Sequence, residues 1–143
     1  MRNAHVDTSR GLDGEPVVFA CFDLDEEQIA ASSYALAVAA AERFRSSVMS
    51  ADDVLELREL TALADDLGEV VPGARTVVLR PARLSVYRDA VGYFVNTRED
   101  AEWIRGEDRE PLAMLRGLLL GLEQLNAEAV RAALRSGAPS STA

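Results

Sequence analysis

Two groups of side chains have the types and spacing to do chemistry. The first is the pair Asp23 and Asp25, which closes an apolar run over residues 17–22. Two carboxylates in such a string are either a candidate for chemistry or the cap of the helix that follows. The second is the segment Arg80, Arg83 and Tyr87, around the start of an expected helix at Pro81. A helix N-terminus offers free backbone N–H groups, and arginine grips carboxylate or phosphate with a two-pronged fork. Residues 69–98 carry five arginines against Glu69 and Asp89, although the whole chain has a formal charge of −9. Positive charge at a helix N-terminus opposes the helix dipole, and local rules broken in this way sometimes mark sites. The alternative is that these arginines face acids on neighbouring helices, such as Glu59 or Asp66.

The string over residues 17–25 resembles the first motif of haloacid-dehalogenase-type phosphotransferases, where an apolar strand presents two aspartates one residue apart. The resemblance implies Asp23 as nucleophile and Asp25 as general acid. It covers about nine residues. Glu26 and Glu27 stand where that family has Gly-Thr or a similar pair, and their charges would repel phosphate and magnesium. The chain has no lysine to match the family's own, and the segments that follow read as helices that do not alternate with strands. A helix N-cap in an acidic first turn accounts for the same residues, and no family is assigned.

Other chemistry is narrowed by composition. All 15 basic residues are arginine, so no Schiff-base lysine or P-loop lysine is available. His5 is the only histidine and falls in residues 1–15, read as a mobile tail. On that reading a Glu-x-x-His metal site and Ser-His or Cys-His catalysis are excluded. No loop has EF-hand spacing. Cys21, the single cysteine, reads as a small core residue and cannot staple its own chain. No cofactor and no metal are therefore expected. The acidic balance argues against nucleic-acid partners. The apolar run at 118–122 is too short to span a bilayer, no signal peptide is visible, and the expected compartment is the cytoplasm.

The elements that would position these residues read as helical. Asp23 or Asp25 caps a first helix, Ser50 a second with Asp53 in a capping box, and Pro81 opens a third. Thr97 caps a short fourth helix through Ile104, and Pro111 opens a long last one to about Arg135, striped by Leu112, Leu115, Leu118, Leu119, Leu122, Leu125, Ala129 and Ala133. The expected fold is all-α, an up-down bundle of four to five helices over residues 16–135, between tails at 1–15 and 136–143. A two-stranded ribbon is added if residues 17–22 pair with 76–79.

Such a bundle leaves apolar groups over. Val86 and Tyr93 lie off the core face of the third helix. Gly117, Leu120 and Gly121 lie together on the last, with small-xxx-small spacing. The leading expectation is thus a non-catalytic interaction module that self-associates or docks a protein partner. The alternative is a protein that binds a small anion through Arg80, Arg83 and Tyr87.

Overall fold

The computed structural model describes residues 1–44, 49–68, 75–99 and 104–137. Its elements run β1 (Arg2–Arg10), β2 (Pro16–Leu24), α1 (Glu26–Arg43), α2 (Ala51–Gly68), β3 (Arg75–Leu79), α3 (Pro81–Glu99) and α4 (Gly106–Ser136). Among the described residues, α1, α3 and α4 pack on an antiparallel sheet of order β1-β2-β3, and α2 packs on α1 and α3. This α+β architecture corrects the all-α bundle. The optional pairing of 17–22 with 76–79 forms in part, as residues 20–24 against 75–79, in the register Ala20↔Leu79 to Leu24↔Arg75. A third strand joins it, built from the segment read as a tail.

That strand forms because Gly11 and Gly14 make a turn. Gly14 adopts φ +80°, which costs a residue without Cβ little. Its N–H donates to the Gly11 carbonyl at 3.0 Å, and the Gly11 N–H donates to the Glu15 carbonyl at 2.8 Å. The turn folds β1 back onto β2, pairing His5 with Cys21 and Asp7 with Phe19. The register slips between Arg2 and His5, and Asn3 there takes φ +54°, a conformation asparagine tolerates better than most residues.

The sheet has two unlike faces. Val18, Ala20, Phe22 and Leu24 of β2, with Val77 and Leu79 of β3, are buried in the core beneath the helices. Helix α4 packs on β1 and β2, and α3 on β2 and β3.

The helices start largely where their caps require. The Asp25 carboxylate accepts the Gln28 N–H at 2.8 Å, and Gln28 Oε1 accepts the Asp25 N–H, a reciprocal capping box. Ser50 and Asp53 do the same for α2. Helix α4 starts at Gly106, earlier than expected, and carries Pro111 inside its second turn. Thr97 lies within α3 and not at a cap; its hydroxyl bonds the Tyr93 carbonyl. Of the expected short helix, residues 100–103 lie outside the described residues.

One polar network ties three helices together. Arg98 of α3 grips Glu42 of α1 with two hydrogen bonds of 2.8–2.9 Å and reaches Asp108 of α4 at 3.3 Å. The Asp108 carboxylate also accepts the Tyr34 hydroxyl at 2.6 Å. Its side chain is 5% exposed, so the paired charges offset a large desolvation cost. Among the described residues, no helix is long and apolar enough to cross a membrane.

Candidate functional site

The second face of the sheet carries the candidate site. Strand alternation brings His5, Asp7 and Ser9 of β1, Val17, Phe19, Cys21 and Asp23 of β2, and Thr76 and Val78 of β3 to this face. Among the described residues no helix covers it. Val17, Phe19 and Cys21 are half-buried by their neighbours, and Val78 is 55% exposed. Arg80 leans over the rim, its guanidinium carbon 5.8 Å from the Phe19 ring centre.

A cluster of polar groups stands on the β1 side. One donor atom each from His5, Asp7 and Cys21 lies within 4.8 Å of the others. His5 Nε2 is 3.1 Å from Asp7 Oδ2, and Cys21 Sγ is 4.0 Å from the same oxygen. The other ring nitrogen, Nδ1, lies 2.8 Å from the Asn3 carbonyl. That carbonyl, then Asp7, raises the pKa of His5 above its ordinary value. Burial and then the Asp7 charge push the Cys21 thiol up. A cysteine nucleophile needs the opposite shift. Neither ring nitrogen faces the thiol as a base, because Asn3 and Asp7 engage both.

Asp23 and Asp25, the pair from the phosphotransferase-like string, have separate structural duties. Asp23 accepts the Thr76 hydroxyl at 2.6 Å and the Asn3 side-chain amide at 2.8 Å. These bonds, Thr76 foremost, hold its carboxyl below the usual range. Asp25 caps α1. The strand bearing them lies in an antiparallel sheet, and Asp23 spans β1 and β3 as a brace.

The other expected residues fall as follows. Tyr87 is fully buried, its hydroxyl 2.5 Å from Ser32 Oγ. Arg83 bonds Glu59 at 2.7 Å and lies 3.9 Å from Asp66, the two acids named as alternatives to a ligand. Arg80 reaches Phe19, so the three are not brought into one site. Val86 and Tyr93 are partly buried against the core, and the Tyr93 hydroxyl bonds Glu42. Leu120 is 65% exposed. Gly117 faces open space, whereas a Cβ at Gly121 would run into the Met1 side chain. Met1 thus occupies the close approach that Gly121 permits.

Sequence reasoning missed the His5–Asp7–Cys21 cluster because it placed His5 in a tail. The available signal was the Gly11–Gly14 spacing ahead of a strongly apolar run, a hairpin pattern. Comparison with protein-family models, curated proteins and solved structures finds no match.

Proposed function

We propose that this chain is a non-catalytic interaction module whose partner is a second copy of itself, docked through the open face of the sheet. The observation that supports this is the composition of β2. A strand with one wet face alternates apolar and polar residues, whereas a strand covered on both faces reads as a continuous apolar run. Strand β2 reads Pro-Val-Val-Phe-Ala-Cys-Phe before its first charge. Its inward residues are covered by helices, and its outward residues, with Val78, form an apolar stripe without a helix above it among the described residues.

A second copy suits the rim as well as the stripe. Asp7 and Asp23 place negative charge on the face and Arg80 places positive charge. A twofold contact sets unlike patches of two copies against each other. A nine-residue strand is about 30 Å long, and three strands span about 14 Å. The flat footprint is then roughly 400 Å² per copy, about half that of a standard stable interface. The expected dimer is concentration-dependent, with a dissociation constant on the order of 10 µM.

Sedimentation or light scattering across a dilution series, in the presence of chelator, tests the reading. Wild-type chain should move from monomer to dimer, and Val78→Arg should stay a folded monomer. A wild-type chain that remains monomeric at about 100 µM, some tenfold above that constant, would refute it. So would a dimer that Val78→Arg leaves intact and Leu120→Glu dissociates.

A further inference from the structure

We propose that His5, Asp7 and Cys21 bind one divalent transition-metal ion of the zinc class, using imidazole Nε2, a carboxylate oxygen and the thiolate.

The donor geometry is close to what such an ion requires. Zinc takes nitrogen, oxygen and sulfur ligands at about 2.0–2.3 Å in a tetrahedron, which puts its ligand atoms about 3.3–3.8 Å apart. Here the nitrogen–oxygen separation is 3.1 Å, the sulfur–oxygen separation is 4.0 Å, and all three donors lie within 4.8 Å of one another. Adjustments of a few tenths of an ångström to about one ångström bring them onto one centre. The donors sit on a paired two-strand platform: His5 and Asp7 are two residues apart on one face of β1, and Cys21 is the direct partner of His5. The mixed set disfavours calcium and magnesium, which take oxygen ligands.

The hydrogen bonds around His5 give a second argument. A carbonyl only accepts, so the 2.8 Å contact with Asn3 requires a proton on Nδ1. Nε2 then faces the Asp7 carboxylate at 3.1 Å and is the ring atom available to a metal ion shared with Asp7. An Nδ1–H bound to a backbone carbonyl is the usual outer support of a metal-ligating histidine. Here it is built by the left-handed Asn3, whose side chain is braced through Asp23 to Thr76 on β3. The exposed side chains of His5 and Asp7 leave an entry path and a fourth position for water. Binding displaces the thiol proton and any proton on Nε2 into solvent.

Cobalt(II) titration of the reduced, untagged, metal-free chain tests this. We expect a thiolate-to-cobalt charge-transfer band and tetrahedral visible bands saturating at one ion per chain, and loss of both on adding zinc. Cys21→Ser should abolish the charge-transfer band. His5→Ala and Asp7→Asn, exposed positions that leave the fold intact by circular dichroism, should each weaken binding at least tenfold. Absence of the band, or a band that Cys21→Ser retains, would overturn the assignment. So would only the weak spectrum of octahedral cobalt. The spectrum is read below the dimer dissociation constant and the chain mass in chelator, so this inference and the self-association reading can fail separately.

Discussion

The hydroxyl pair Ser32–Tyr87 allows a sharp test of how the core is held. Both residues are fully buried, the oxygens are 2.5 Å apart, and burial raises the Tyr87 pKa well above its ordinary value. Removing one partner of a buried hydrogen bond leaves the other unsatisfied, at a cost of about 1–3 kcal/mol, whereas removing both can be nearly neutral. The two single changes are not equivalent. In Tyr87→Phe the Ser32 hydroxyl can turn to the Gln28 carbonyl one helical turn back, and the ring keeps its place 6.1 Å from the Phe22 ring centre. We expect a loss of about 1 kcal/mol there. In Ser32→Ala the Tyr87 hydroxyl has no such escape, and we expect about 2 kcal/mol. The double variant should lose about 1 kcal/mol instead of the additive sum, a coupling near 2 kcal/mol. Urea denaturation at neutral pH reads all four states, and thermal midpoints should follow at about 3–4 °C per kcal/mol. Additivity within about 0.5 kcal/mol would refute the reasoning, because it would mean that the two hydroxyls do not depend on each other.

Two further outcomes follow from the polar groups. Arg98→Met should cost about 3 kcal/mol by removing the cation shared by Asp108 and Glu42, whereas Arg116→Met, which breaks the exposed pair with Glu99, should cost less than about 1 kcal/mol; urea midpoints compare them. The Tyr34 hydroxyl is pushed up to about 12, chiefly by donating to Asp108 and then by burial. A folded value above the unfolded one stabilises fully below about pH 10 and is lost as pH rises through about 12. Urea midpoints should therefore fall across that window, and less steeply in Tyr34→Phe.

Much of the helical layer was legible because three helix starts carry a marker residue and the long last helix carries an apolar stripe. Asp25, Ser50 and Pro81 mark the starts, and Leu112, Leu115, Leu118, Leu122 and Leu125 mark the buried face of α4. Pro111 misplaced the start of α4: it stands inside the second turn, where its missing N–H gives up one helical hydrogen bond and the helix nevertheless runs through it. Strand β1 was hidden for a different reason. It is an edge strand with eight of its nine residues exposed and Val6 alone turned toward the core, so no apolar alternation betrays it. The candidate site inherited that blindness: once residues 1–15 read as a tail, His5 could not be set opposite Cys21. Arg83 meets Glu59 and Asp66 of α2, the plainer alternative, and such partners on another helix are invisible without tertiary contacts.

The connection between β2 and β3 also governs how the chain reaches this state. Helices α1 and α2 intervene between the two strands, so their pairing must close a loop of about fifty residues, while the β1–β2 hairpin forms locally. A nascent hairpin therefore presents β2 with both apolar faces bare until the helices arrive. Such a segment invites association between unfinished chains. Pro16 stands at one end of the run and Asp23, Asp25, Glu26 and Glu27 at the other, the placement expected of gatekeepers that keep a hydrophobic strand from aggregating while it waits.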